Sequence, residues 1–285
     1  MFKIQRIHRY FLLTLFFLFV VFSYLLYLKY EDRYLRVYFL DVGQGDAIYI
    51  RAPGGHDMLV DGGPGPIVIR RLSEVMPFYD RSIDVVLETH PDADHIGGIP
   101  SVMKRFHVGL FMEPGVESGN VIDDEIRRLR NENGIDSILA RKHMNVNLGG
   151  GAFFDILYPD KDVSYLETNT ASIVGQVRYG STTVMLNGDS PQVVERTLVR
   201  QYGDTIQSDV LKAGHHGSHT SSGEGYVRAV SPNYVVISAG LDNRYGHPHR
   251  EVVDLFNTLG IPMFKTYELG TIEFISDGKN IVPKK

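Results

Sequence analysis

The 285-residue sequence predicts an α/β fold of two central sheets with helices on both outer faces, preceded by one membrane-spanning helix. Three observations carry that reading. Short alternating strands joined by turn-rich hairpins open the main body and strand–helix units follow, a mixture that packs helices outside paired sheets. Residues 11–28 read FLLTLFFLFVVFSYLLYL without a charge, close to the roughly 20 residues that cross a bilayer as a helix. Residues able to do chemistry are spread from Asp41 to His247, which suits a single large domain, expected at 36–285.

Each element follows in order. Residues 1–10 carry Lys3, Arg6 and Arg9, whereas Lys29 and Arg33 beyond the span are partly offset by Glu31 and Asp32. That bias predicts a cytoplasmic N-terminus, a single-pass anchor at 11–28, a linker at 29–35 and an extracytoplasmic domain. A cleaved signal peptide is the competing reading, but 24–29 lacks the small residues of a cleavage site. Alternation begins with Leu35, Val37 and Phe39 against Arg36, Tyr38 and Leu40, and the turn Pro53-Gly54-Gly55-His56-Asp57 joins strands at 47–51 and 58–60. Helical spacing appears at 67–78, 96–106 and 121–131. Strands are expected at 83–89, 153–158, 173–179, 182–186, 210–213 and 234–238, and helices at 191–202, opened by Ser190 and Pro191, 225–230 and 250–259.

Cysteine is absent, which excludes disulfides, thiolate metal sites and a cysteine nucleophile. Beyond Arg36 the chain carries 23 basic and 32 acidic residues, a formal charge of −9. Such a balance argues against a wide duplex-DNA surface, which depends on many Lys and Arg contacts to phosphate.

The segment His90-Pro91-Asp92-Ala93-Asp94-His95-Ile96-Gly97-Gly98 places four potential metal ligands within six residues, between a buried strand and a helix. A strand end turning into a helix can aim imidazoles and carboxylates at one centre, with the Gly pair letting the backbone turn tightly beside it. Further motifs are Phe39-Leu40-Asp41-Val42-Gly43-Gln44-Gly45-Asp46-Ala47, Leu59-Val60-Asp61-Gly62-Gly63, Leu186-Asn187-Gly188-Asp189, Asp209-Val210-Leu211-Lys212-Ala213-Gly214-His215-His216-Gly217-Ser218 and Asn243-Arg244-Tyr245-Gly246-His247-Pro248. Adjacent histidines on an extended segment face opposite ways, so only one of His215 and His216 is expected to reach the centre. His215 is preferred, with His216 orienting it or meeting substrate. Arg244, Tyr245 and Ser218 offer the guanidinium and hydroxyls that phosphate recognition needs.

This ordered set resembles the metallo-β-lactamase superfamily, and within it the hydrolase-like domain of the ComEC competence and DNA-internalisation family, over about residues 36–276. The resemblance implies an αββα sandwich whose strand-end loops meet at one edge, with two divalent cations held there. His90 and Asp92 would hold the first, Asp94 and His95 the second, and Asp189 would bridge them; His215 or His247 would complete the second site. Asp94 would also partner the nucleophile. Asp61 resembles an aspartate that holds the ligand loops from behind. A third histidine for the first cation has no good candidate between the two motifs, since His107 and His143 fit poorly; Asn169, in Asn169-Thr170-Ala171-Ser172, stands there instead. Asp92 and Asn169 make that site oxygen-rich, which favours manganese over zinc.

The function so implied is a membrane-anchored metal-dependent phosphodiesterase acting on DNA, single-stranded in preference to duplex. Two alternatives stand beside it: a surface phosphodiesterase acting on a cell-wall polymer or phosphocholine esters, and a non-catalytic binding module that keeps the fold.

Overall fold

A computed structural model of the chain describes the backbone of residues 2–31 and 33–284 and the side chains of residues 8–23 and 33–284. A 30-residue helix, α1 (Phe2–Glu31), comes first. The first sheet then begins with β1 (Leu35–Phe39), β2 (Ile48–Arg51), β3 (Asp57–Val60), β4 (Ser82–Leu87), β5 (His107–Glu113) and β6 (Asp136–Leu139). The second sheet holds β7 (Asn145–Gly149), β8 (Ala152–Tyr158), β9 (Val174–Tyr179), β10 (Thr182–Leu186), β11 (Val210–Lys212), β12 (Tyr234–Ile237) and β13 (Met263–Lys265). The chain returns to the first sheet as β14 (Ile272–Ser276) and β15 (Ile281–Lys284), which gives the orders β15-β14-β1-β2-β3-β4-β5-β6 and β13-β12-β11-β10-β9-β8-β7.

Alternation explains the stacking. In β1, Val37 and Phe39 enter the core between the sheets while Tyr38 and Leu40 enter an outer core. In β10, Val184 and Leu186 face inward and Met185 outward. Successive side chains point to opposite faces, so strands apolar on both sides need cover on both sides. The helices α2 (Ile67–Val75), α3 (Ala93–Ile96), α4 (Ile99–Arg105) and α5 (Val121–Asn133) follow strands of the first sheet, and α6 (Gln192–Tyr202), α7 (Glu224–Val230), α8 (Arg250–Thr258) and α9 (Thr266–Leu269) those of the second. Outer cores containing Val68, Leu72 and Ile126 on one side and Leu198, Val227 and Phe256 on the other complete an αββα sandwich, the predicted fold class.

Local differences have local causes. The helix expected at 67–78 stops at Val75, because extended Met76 precedes Pro77. The helix expected at 96–106 starts only at Ile99 as α4, because Gly97-Gly98 separates it from the short α3 that ends at Ile96.

Among the described residues no helix is long and apolar enough to cross a membrane. The expected span at 11–28 runs past residue 23, and the side chains of its last residues, like those of Lys3 and Arg6, lie outside the described ones. From residue 8 to 23 every side chain is exposed, including Phe11, Phe16, Phe17 and Phe19.

Candidate metal centre

The carboxyl ends of β3, β4, β10, β11 and β12 meet at one edge of the sandwich. Two glycine pairs set the spacing there. Gly62 N donates to His95 O at 2.6 Å and Gly98 N to Gly63 O at 3.0 Å, so the loop after β3 lies directly on α3. A Cβ on Gly98 would stand 2.0 Å from Gly62 O, and one on Gly97 2.4 Å from Pro64 O. Gly97 and Gly98 have ordinary right-handed dihedrals. What glycine supplies at this pair is therefore the missing side chain, not the tight turn the sequence suggested.

Asp189, buried at the end of β10, is the hub. Its Oδ1 lies 3.3 Å from His95 Nε2, and its Oδ2 lies 3.4 Å from His216 Nε2, 3.5 Å from His215 Nε2 and 3.9 Å from His90 Nε2. Asp92 Oδ2 sits 3.7 Å from His90 Nε2, and Asp94 Oδ2 3.3 Å from His216 Nε2. Six of the residues proposed from the sequence thus gather around the Asp189 carboxylate, four histidines directly and Asp92 and Asp94 through His90 and His216.

The far side of each ring explains its aim. His95 Nδ1 donates to Asp61 Oδ2 at 2.7 Å, and His216 Nδ1 to the Ser238 carbonyl at 3.0 Å. These partners only accept, so the proton sits on Nδ1 and Nε2 is left to face the centre. His90 Nδ1 meets Thr89 Oγ1 at 3.0 Å, and that hydroxyl donates to Asp61 Oδ2 at 2.7 Å. One aspartate therefore stands behind two of the histidines. His90 Nε2, His95 Nε2, His216 Nε2 and Asp189 Oδ1 are buried with no hydrogen-bond partner. Buried polar atoms are rarely left so, and orphaned nitrogens on rings anchored from behind fit cation ligands well. Asp46, His95, Asp189 and His216 offer donor atoms within 4.8 Å of one another.

Both His215 and His216 face Asp189, against the expectation of one. The segment is not extended: Gly214–Gly217 is a tight 3₁₀ turn in which His215 (φ 47°, ψ 49°) and His216 (φ 56°, ψ 23°) are left-handed. Period-two alternation does not apply to that backbone, and non-glycine residues held there often mark functional sites. His216, assigned from sequence to substrate, belongs to the buried donor cluster, while His215 is 26 % exposed with its Nδ1 3.1 Å from Thr220 Oγ1.

The remaining candidates divide. Ser218 does not face the cleft; it is buried, and its Oγ accepts from Thr220 N and Thr220 Oγ1, supporting His215 at one remove. Asn169 has a buried, unpartnered Oδ1, but no hydrogen bond or ion pair joins it to the histidines. Ser172, which ends the same segment and was given no role of its own from the sequence, accepts from Asp189 N at 3.3 Å. His247 forms an outer row, its ring 5.3 Å from that of His215 and stacked at 5.7 Å on Tyr245. Arg244 lies over Tyr245 at 4.7 Å, and with Asp94, Gln44 and Asn243 these two line an open cleft of about 430 Å³.

Sequence reasoning also missed a buried ion pair. Lys212 Nζ, fully buried, lies 2.5 Å from Asp46 Oδ2, and Asp46 Oδ1 faces His216 Nδ1 at 3.3 Å. Asp46 is close enough to ligate, but with one oxygen held by a lysine and the other turned to an imidazole it supports His216 from behind. A lysine ending an otherwise apolar strand was the available signal.

Electrostatics separate the rings. Burial works against a proton on His216, but Asp189 and Asp46 overcome it and raise its pKa to about 9; the same balance, with Asp189 and Asp61, holds His95 well above the usual range. Burial and then His95 lower His90 to about 4. Burial would raise Asp189 and Asp94, yet His216 and His95 outweigh it, keeping Asp189 well below the usual carboxylate range and Asp94 at about 2.

A buried carboxylate ringed by anchored imidazoles at the edge of an αββα sandwich defines the metallo-hydrolase class of fold. The family model of the metallo-β-lactamase superfamily matches residues 40–240, and the chain belongs to that superfamily. Curated relatives include a comE operon protein and a competence protein. ComE operon protein 3 of Bacillus subtilis (strain 168) is 29 % identical over 252 residues, 82 % of this chain and 32 % of that protein. Competence protein ComA of Neisseria gonorrhoeae is 30 % identical over 239 residues, 82 % of this chain and 31 % of that protein. The chain spans about a third of the length of these relatives. Among solved structures, the metallo hydrolase Igni18 of Ignicoccus hospitalis shares the fold with a TM-score of 0.56 at 16 % identity, covering 85 % of this chain and 98 % of that one.

Proposed function

We propose that this chain is a membrane-anchored, outward-facing metal-dependent phosphodiesterase that cuts single-stranded DNA. The observation that carries the hydrolytic reading is the set of four imidazole Nε2 atoms within 3.3–3.9 Å of the Asp189 oxygens. His90, Asp92 and Asp189 would hold one cation, and Asp94, His95, His216 and Asp189 a second, with His215 completing one of the two. When bound, the cations would supply Lewis acidity that acidifies water and offsets charge developing on the phosphoryl oxygens. Carboxylates with imidazoles and no thiolate suit manganese as well as zinc.

The chain's own residues do the rest. Asp61 and the Ser238 carbonyl hold the tautomers that leave Nε2 facing the centre. Arg244, at the cleft rim, hydrogen-bonded to the Tyr245 hydroxyl and without an ion pair among the described residues, would take a substrate phosphate. An open cleft with one guanidinium, on a chain of formal charge −9 beyond Arg36, suits a strand fed in through a few phosphate contacts better than a duplex. The anchor is supported by an N-terminal helix whose described side chains are all exposed and largely apolar.

The test is the metal-reconstituted full chain in detergent, given single-stranded DNA, duplex DNA and a phosphocholine ester. Single-stranded DNA should be cut fastest, and Arg244→Ala should weaken cleavage by about 1.5–3 kcal/mol in kcat/KM, the worth of a hydrogen bond to a charged group, with metal content unchanged. Cleavage of the ester alone would replace the nuclease reading with a cell-surface esterase.

A further inference from the structure

The end of the sandwich opposite the metal centre carries a feature the hydrolase reading does not use. Phe78 and Tyr79 form a T-shaped pair, 83 % and 63 % exposed, in the short loop between α2 and β4. Beside them a groove is lined by Arg70, Met76, Arg81, Lys104 and Arg105. Arg70 pairs with Glu74 and Lys104 with Glu125, but Arg81 meets only its neighbour's carbonyl, Asp80 O, and Arg105 has no partner among the described residues. Asp80, the nearest acid in sequence, has Oδ1 occupied by Ser82 N and Oγ. Two arginines without an ion pair among the described residues, beside two exposed aromatics, stand out on an acidic domain.

Strand register says which way this patch faces. Leu35, the first residue of β1, stands at the same sheet edge as the β2–β3 turn, because Arg36 pairs with Arg51 and Arg51 with Asp57. β4 runs parallel to β3, with Met58 opposite Val85, so Ser82 and the loop before it lie at that edge too; Ser82 pairs with His107, which brings Arg105 there. Three strand spacings of about 4.8 Å put the Phe78 loop within ~15 Å of Leu35 along the edge. The helix α1 ends at Glu31, four residues before Leu35, a reach of at most ~14 Å. The patch therefore sits at the end where α1 leaves the domain, and His90 and Asp189 sit at the other, a strand length of about 20 Å away.

We infer that the loop bearing Phe78 and Tyr79, with Arg81 and Arg105, is a second membrane contact: the aromatics enter the headgroup layer and the guanidiniums meet phosphates of anionic lipids. The inference rests on the anchored reading of α1 and adds to it an orientation. Held at both points, the domain stands with its cleft turned away from the bilayer, open to substrate from outside.

The sequence contains no tryptophan, so Phe78→Trp installs a sole tryptophan, excited selectively over the tyrosines, at an exposed position. In the full chain reconstituted into vesicles of phosphatidylcholine and phosphatidylglycerol, its emission should shift to the blue and be quenched by lipids brominated near the headgroup. Leu241→Trp, at the opposite edge and 71 % exposed, should remain solvent-like. Tyr79→Trp gives the same readout should the first variant fold poorly, and Arg81→Glu with Arg105→Glu should reduce the quenching. Vesicles that float with the chain while the reporter at 78 stays unquenched overturn this contact and leave the anchor intact. A chain that does not float with vesicles overturns both. A reporter that responds to a single-stranded oligonucleotide and not to lipid makes the groove a strand-binding track and also overturns the proposal.

Discussion

The histidines of this protein form an inner and an outer group, and the two differ less in position than in what stands behind each ring. His90, His95 and His216 are fully buried, each has Nδ1 tied to an oxygen, and each has Nε2 turned to Asp189 without a hydrogen bond. His247, His249 and His219 are at least partly exposed and meet one another edge-on at 4.8 Å and tilted at 4.5 Å. His215 stands between them, with an anchored Nδ1 and a partly exposed ring. Adjacency to a motif did not separate these groups. The partner on the far nitrogen did, because it fixes the tautomer and the direction of the free one.

The largest way to break that distinction is to remove one ring from each group. His216→Ala should lower metal affinity by more than ~100-fold, beyond the loss typical of an outer partner. His247→Ala should leave metal content close to wild type and act on turnover. Equal losses of metal in the two variants, read by elemental analysis, would erase the division.

A sharper probe reaches His216 from behind. Removing one member of a buried ion pair typically costs 3–5 kcal/mol because the other is left uncompensated, so Lys212→Met should lower unfolding free energy by about that much. A double variant, Lys212→Met with Asp46→Leu, should recover most of the stability in denaturant titrations, yet keep a weakened metal site, since His216 has lost Asp46. Full recovery of both would make the pair purely structural.

The smallest effect is a pH dependence. In the metal-free protein His216 holds a proton up to about pH 9, whereas His247 is neutral above about pH 4. A cation has to displace the proton on His216, so apparent affinity should climb toward pH 9 by about tenfold per pH unit for each proton released. His247→Ala should leave that slope unchanged. For the metal-free fold the raised pKa contributes stability that is fully present below 6.5 and fades as pH rises through about 9.

Much of this was legible in the sequence, for identifiable reasons. Strands such as β1 and β10, whose side chains alternate between two cores, carry strong periodic signals, and the ligand cluster of His90, Asp92, Asp94 and His95 is local in sequence. What escaped was set by tertiary context. No periodicity reveals a left-handed His215-His216 turn, and β6, whose side chains are all exposed, has no buried face to betray it. The Gly97-Gly98 pair reads as a turn until Gly62 and Pro64 are seen lying against it. Lys212 looked like an ordinary polar strand residue because its partner, Asp46, is far away in the chain.

Asp189 joins the two halves of the proposed centre, and its replacement is the most direct measurement. Metal content of the purified full chain should approach two divalent ions in the wild type, and Asp189→Ala should lose most of both ions along with hydrolysis, while circular dichroism remains unchanged. If Asp189→Ala retained wild-type metal content and turnover, Asp189 would not be the shared ligand and the account of the site would be wrong.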